Sequence, residues 1–389
     1  MIFFDIKEVL SKANRIYTSM KIFDAFMRGE EIFPHVIKLK RVKQSDIQKN
    51  YNTILKEINE IEKSGLNFEF KEFDFKTIGK QKLPIEVRFD KINDFLKFIG
   101  KQSEYSLFVT NYEKIISRYP TLKTLFIARA NQIIQNLTVW DKLLQICDYF
   151  VKNPKPNIYI RELSIQEIDT KFIEKNKTIL DMLLSNILKQ SEFDHKITKF
   201  GNYGFERKYG LRYPLPLIRF RILDEDLYIN GLSDITLNIE EFKKLNLTCK
   251  SIFIVENKIT TLSFPKLKNS IVIFGSGYKV GVLKDIFWLA NKNIYYWGDI
   301  DKDGFAILSQ ARGYFRQIKS FLMNEKVIEL FSHLSVKDEK NQNKTKKLDN
   351  LTNSEQKIYK ILQDGYRLEQ EKIPFGYVLD ILADIRKNN

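Results

Sequence analysis

The chain is poor in the residues that build metal–thiolate sites and disulfide frameworks. In 389 residues it has two cysteines, Cys147 and Cys249, and three histidines, His35, His195 and His333. Two isolated thiols exclude a disulfide scaffold and a cysteine zinc site. The histidines lie far apart with no supporting motif, and none is assigned a role. No apolar run approaches the roughly 20 residues that a membrane span needs. Met1-Ile-Phe-Phe-Asp-Ile-Lys7 lacks a charged segment followed by an apolar core, so no signal peptide is expected. A cytoplasmic protein with no membrane partner follows as the expectation. What the chain has in excess is positive charge: 64 Lys and Arg against 49 Asp and Glu, a formal net charge of +15. That points to a polyanionic partner, although a lysine-rich proteome produces the same excess without one.

One stretch stands out chemically: Ile294-Tyr-Tyr-Trp-Gly-Asp-Ile-Asp-Lys-Asp-Gly-Phe-Ala-Ile-Leu308. An apolar run ends at Gly298. Asp299, Asp301 and Asp303 follow at alternate positions, and then a helical pattern runs through Arg312. A strand, an acidic loop and a helix put carboxylates at the C-terminal edge of a sheet, where open α/β folds place their sites. Three crowded acids repel one another, and a divalent cation would relieve that. Mg²⁺ or Mn²⁺ is the functional reading. Two others stand beside it. An EF-hand loop begins similarly but requires a bidentate Glu where this chain has Gln310. A polar turn in which Asp303 caps the next helix needs no metal.

The remaining chain divides by pattern into three parts: 1–118, 119–247 and 248–389. The first holds short helices, a helix over 41–61 with a narrow apolar stripe, and alternating strands at 68–75 and 83–89. The narrow stripe fits either an arm or a surface helix of the same domain. The second part is helical from Tyr119 to Val151, with a break near Asn136–Trp140. It continues with a strand-like Ile158–Ile165 and a helix from the cap Asp169 to Leu184. Lys171, Lys175 and Lys177 on that helix suit the DNA-facing helix of a winged-helix module or a solvated face. Arg207, Lys208, Arg212, Arg219 and Arg221 follow among Tyr and Phe residues, a mixture that suits phosphate contact and base stacking. Ile218–Asp224 closes this part as a strand.

The third part carries three short apolar runs bounded by turns: Ser251–Lys258, Ser270–Gly277 and Ile294–Asp301. Such runs predict a buried parallel sheet. Their ends bear Glu256, the Gly275-x-Gly277 turn, and Asp299 with Asp301. Side by side, they set one acid opposite two others across a cleft floored by glycine. A dinucleotide fingerprint is excluded by the missing third glycine.

Glu at one strand end and Asp-x-Asp at a later one resembles the toprim domain of topoisomerases, primases and related nucleases. Val255-Glu-Asn-Lys258, Gly275-Ser-Gly-Tyr278, Tyr296–Leu308 and Arg367-Leu-Glu-Gln-Glu371 are similar to the JetD nuclease subunits of Wadjet plasmid-defence systems. Arg161-Glu-Leu-Ser-Ile165 and Asp169–Glu174 resemble the N-terminal half of the same family. The motifs run from about residue 158 to 371. The sequence departs from them at Asp303, where His is expected, and in the loosened Ser164-Ile-Gln-Glu167.

The resemblance implies an α/β multidomain fold: an N-terminal arm region, a CAP-like winged-helix domain as in the DNA-cleaving chain of topoisomerase VI, and a C-terminal toprim domain. It implies a homodimer that cleaves circular plasmid DNA together with an SMC ATPase, a kleisin and a small winged-helix partner. Asp299 and Asp301 then hold the metal, assisted by Asp303. Glu256 binds a second ion or activates water. Lys258 neutralises the phosphate or pairs with a neighbour. Gly275 and Gly277 allow close backbone approach. Glu369 and Glu371 complete the site or lie on a charged helix face. Two rivals remain: a transesterase using Tyr149 or Tyr159, and a non-catalytic protein that senses DNA shape.

Overall fold

The computed structural model describes residues 3–201, 203–275, 277–337 and 347–386. The chain forms two compact units, Met1–Tyr213 and Pro214–Asn389.

The first unit opens with α1 (Ile6–Thr18), α2 (Lys21–Arg28), β1 (His35–Lys38), α3 (Gln44–Lys63), β2 (Phe68–Phe75) and β3 (Gly79–Phe89). The strands form an antiparallel sheet in the order β1-β3-β2. Ile47, Ile54 and Ile61, seven residues apart on α3, are at most 2% exposed and pack with Leu83 and the rings of Phe3 and Phe4. Each burial contributes roughly 2 kcal/mol. The narrow stripe therefore seals α3 onto its own unit, while Tyr51 and Leu55 face solvent. Glu57, also buried, accepts the backbone N–H groups of Phe3 and Phe4 at 2.9 Å each, which ties the chain start beneath α3.

Helices follow: α4 (Ile92–Phe98), α5 (Gln102–Arg118), α6 (Lys123–Ile127), α7 (Asn131–Gln135), α8 (Trp140–Lys152), α9 (Thr170–Lys175), α10 (Lys177–Ile187) and α11 (Gly204–Lys208). One core runs through them from Val9 to Leu211, across position 118. The break before Trp140 is present. The strand expected over 158–165 is not: Ile160–Glu162 is a 3-10 turn, and only Tyr159 bridges to Arg212. Asp169 caps α9 through the Phe172 N–H at 2.8 Å. The single helix expected from there to Leu184 is two helices, parted at Asn176.

The second unit is a six-stranded sheet covered by helices. Its elements are β4 (Leu217–Ile222), β5 (Asp234–Asn238), α12 (Ile239–Lys244), β6 (Ser251–Val255), α13 (Lys258–Ser263), β7 (Ser270–Phe274), β8 (Asn293–Trp297), α14 (Lys302–Tyr314), β9 (Lys319–Ser320), α15 (Glu325–Phe331), β10 (Val336–Lys337), α16 (Asn353–Ile361), β11 (Tyr366–Arg367) and α17 (Phe375–Arg386). The sheet order is β5-β4-β7-β6-β8-β9, and β10 pairs separately with β11. β6 runs parallel to β7 and β8, and β8 parallel to β9, as the continuous apolar runs predict. β4 is antiparallel to β7. The 214–247 stretch, expected to end the middle part, is thus built into the C-terminal sheet, because β4 finds its backbone partner in β7. The sheet is mixed.

Candidate active site

All five residues of β6 are buried. Its central position fixes the site. Val255 is level with Phe274 of β7 and with Trp297 of β8. The next residue, Glu256, therefore emerges between the ends of both neighbours. Its N–H donates to the Trp297 carbonyl at 3.1 Å, and the Gly275 N–H donates to the Val255 carbonyl at 2.8 Å. The glycine turn lies on the β7 side of Glu256 and the aspartates on the β8 side. This corrects the expected cleft, in which glycines floored the gap between the acids.

The glycines still matter sterically. A Cβ at Gly298 would lie 3.0 Å from Glu256 Oε2 and 2.6 Å from the Tyr296 hydroxyl. Without it the Glu256 carboxylate leans over β8 and accepts from the Tyr296 hydroxyl at 3.2 Å. Gly277 has φ +65°, and a Cβ there would be 3.7 Å from Glu256 Oε1. A Cβ at Gly304 would fall on the Asp299 carbonyl oxygen, so only glycine lets α14 start so close to the acidic loop.

Asp301 is the cap of α14: its Oδ1 accepts the Gly304 N–H at 2.7 Å. The capping role therefore belongs to Asp301 and not to Asp303, which is exposed in the first turn. Asp303 shares with Asp301 and Arg367 the lining of a small cavity. Lys258 is exposed at the start of α13 and makes no ion pair among the described residues.

The segment 366–372 is not a charged helix face; it is β11 followed by a 3-10 turn. Leu368 and Ile300 exchange two backbone hydrogen bonds, at 2.9 and 3.1 Å. The Gln370 N–H donates to Asp299 Oδ1 at 2.9 Å. Its side chain, almost wholly buried, accepts the Asn257 N–H at 3.1 Å and donates to the Trp297 carbonyl. Glu371 accepts from Asn257 Nδ2 at 2.6 Å. Arg367 lies 3.5 Å from Asp299, 3.8 Å from Asp301 and 2.7 Å from Glu369. Gln370 thus joins the ends of β6 and β8. Sequence reading missed it, because a neutral amide in a run of charges advertises no chemistry. Only its place in Arg367–Glu371 could have drawn attention.

Burial raises Glu256 above the usual carboxylate range, and repulsion from Asp299 adds to it. Asp299 is raised by burial and Asp301, against the opposing hydrogen bond from Gln370 and the charge of Arg367. Asp301 is raised by burial and Asp303, against the Gly304 hydrogen bond and Arg367. The donors are all hard oxygens in negative excess, which suits Mg²⁺ or Mn²⁺ chemically. Among the described residues no three His, Cys, Asp or Glu side chains converge tightly enough to form a ready-made metal cage. A cation would have to draw these carboxylates together.

The expected DNA-contacting residues separate into two groups. Lys171, Lys175, Arg207 and Arg212 are exposed in the first unit, with Arg212 donating to Asn157 at 3.3 Å. The others are engaged in holding the fold. Lys208 is buried and donates to Asp181 and Ser185 at 2.6 and 3.0 Å. Lys177 pairs with Glu206 at 2.6 Å. Arg219 forms a two-pronged pair with Asp234 at 2.9 and 2.6 Å. Arg221 donates to the carbonyls of Thr261, Leu262 and Phe264 at the end of α13. Of the two candidate tyrosines, Tyr159 is exposed and Tyr149 is half-buried edge-on to Phe150.

Residues 210–382, which hold the whole site, match the family model for the C-terminal part of the Wadjet protein JetD. Residues 6–185 match a model described as the N-terminal part of an uncharacterized protein conserved in bacteria, DUF3322. The C-terminal match covers an α/β unit with carboxylates gathered at a strand edge, in a protein of a Wadjet defence system. The chain belongs to the Wadjet JetD family. No curated protein matches it. Among the described residues no helix is long and apolar enough to cross a membrane.

Proposed function

We propose that this chain is a metal-dependent DNA endonuclease, the nuclease subunit of its Wadjet system, cleaving circular plasmid DNA. The observation that carries the reading is the placement of Glu256, at the end of β6, beside the Asp299-x-Asp301 loop that follows β8, each with its carboxyl raised. Pure binding to a polyanion gains nothing from half-buried acids. In this reading the second unit is a toprim domain and residues 119–213 carry a winged-helix module. The chain works in the cytoplasm as a homodimer with an SMC ATPase, a kleisin and a small winged-helix partner.

Asp299 and Asp301 would hold Mg²⁺ or Mn²⁺, with Asp303 assisting and Glu256 available to a second ion. The bound ion would supply Lewis acidity toward the phosphate and toward water. Glu256, made more basic by burial, is suited to take a proton from the attacking water. Tyr296 holds that carboxylate in place through its hydroxyl. Gln370 fixes Asp299 relative to β6. Exposed Lys258 faces solvent, where a phosphate can meet it. Lys171, Lys175, Arg207 and Arg212 supply phosphate contacts from the first unit.

The test is closed-circular plasmid with the protein, its system partners, ATP and Mg²⁺ or Mn²⁺, read with and without protease, beside Glu256→Gln. Linear DNA with free ends, lost in the variant, is the expected result. Ends that enter the gel only after protease would transfer the chemistry to a tyrosine. Binding without cleavage would leave the protein a sensor of DNA shape.

A further inference from the structure

Arg367 does more than decorate the site. Its guanidinium faces three carboxylates: Nη2 meets both Glu369 and Asp299, and Nε faces Asp301. The distances separate two kinds of contact. Glu369 is at hydrogen-bond distance, 2.7 Å. Asp299 and Asp301, at 3.5 and 3.8 Å, are too far for good hydrogen bonds and interact by charge. The Nε atom is itself buried and has no hydrogen-bond partner. A buried donor left unmatched is a cost, and here the charge of the neighbouring acids offsets it. Arg367 is carried on β11, whose next residue is latched to Ile300 by a reciprocal backbone pair. The backbone that carries this cation is therefore fixed beside the acidic loop.

We infer that Arg367 is a built-in counter-cation: it neutralises Asp299 and Asp301 when no metal is present, and a divalent ion takes its place. The inference rests on the metal reading above and adds a competitor to it. Two cations cannot both sit against these carboxylates without repelling one another. Glu369 gives the guanidinium a partner to keep when the metal enters. Arg367 is thus a positioning residue: it keeps the acidic loop assembled before loading and sets the affinity of loading. Because its contacts with the aspartates are Coulombic, its charge matters and its fork geometry does not.

The experiment is Mn²⁺ titration of the full chain by calorimetry and by electron paramagnetic resonance at low ionic strength, with metal-free thermal unfolding in parallel. Arg367→Gln should bind Mn²⁺ roughly threefold to tenfold more tightly than the wild type, while its metal-free form melts earlier. Arg367→Lys, which keeps the charge and guards against a merely misfolded variant, should bind as the wild type does. If Arg367→Gln binds Mn²⁺ equally or more weakly while the wild type binds it, the counter-cation role is overturned and the metal reading survives. If Arg367→Lys gains as much as Arg367→Gln, packing and not charge is responsible, and the inference also fails. If neither wild type nor Arg367→Gln binds Mn²⁺, the metal reading falls and takes this role with it.

Discussion

Replacing Gln370 by Leu removes a buried side chain that joins the ends of β6 and β8 while keeping most of its volume. Two bonds are lost. The Asn257 N–H loses its acceptor, since its 3.1 Å bond to Gln370 Oε1 is its hydrogen bond in the structure. The Trp297 carbonyl loses the amide of Gln370 but keeps the Glu256 N–H at 3.1 Å. An orphaned buried N–H costs about 1–3 kcal/mol; the part-buried Asn257 N–H falls toward the lower end and a carbonyl with one remaining partner adds less, for a sum of about 2 kcal/mol. The bond from the Gln370 N–H to Asp299 is backbone and survives. In a unit of this size 1 kcal/mol moves the melting temperature by about 2–4 °C, so the unit should melt roughly 4–8 °C earlier. Cleavage should fall by more than stability does, by about tenfold or beyond, because small displacements of reacting groups are costly. The assays are thermal unfolding without metal and plasmid cleavage in the assembled system. A melting temperature within about 1 °C of wild type would refute the hydrogen-bond accounting. Unchanged cleavage in a destabilised variant would refute the positioning role.

Three further outcomes are expected. Asp301→Asn should raise metal-free stability at pH 7 and abolish Mn²⁺ binding, because Asn still caps α14 while the raised carboxyl is gone. A carboxyl raised on folding carries a penalty that is absent below its ordinary value of 3.8 and complete above its folded value. Wild-type stability should therefore fall as pH rises through that window, and the variant's should fall less. Glu355→Ala should cost about 2–3 kcal/mol by denaturant unfolding, since the largely buried Arg312 guanidinium loses the carboxylate that it meets at 2.6 and 2.9 Å and keeps only the carbonyls of Ile318 and Asn350. Desolvation works against the ionised Glu355, but hydrogen bonds from Arg312 and Thr352 outweigh it and hold the carboxyl at about 2; the stability it gives is present above its ordinary 4.5 and lost as pH falls through about 2. Lys171→Ala combined with Lys175→Ala should weaken DNA binding at every sequence and reduce the salt slope by about 2, whereas Arg219→Ala should leave that slope unchanged.

Two acids of the candidate site, Glu256 and Asp299, were legible because each closely follows an apolar run. A buried strand must stop where a carboxylate begins, so Val255-Glu256 and Trp297-Gly-Asp299 mark strand ends without any coordinates. Asp169 as a helix cap was legible for the same local reason. Strand 158–165 was misread because its apolar residues pack into the first unit's core from a turn, and period alone cannot tell the two apart. The basic residues were overread. Lys208, Arg219 and Arg221 look like phosphate ligands in a run of charges, yet each has an internal partner many residues away.

Sequence by itself determined what is local: where the buried runs of the C-terminal sheet end, which residues carry charge, and the family that the motifs resemble. Tertiary structure alone decided the neighbours. It set β6 between β7 and β8 and moved β4 into the same sheet. It brought Gln370 against Asp299, 71 residues upstream, and Glu371 against Asn257, 114 residues upstream. The reason is physical. Strand ends follow from each residue's own preference for water or interior, whereas strand order and ion-pair partners depend on the packing of the whole unit.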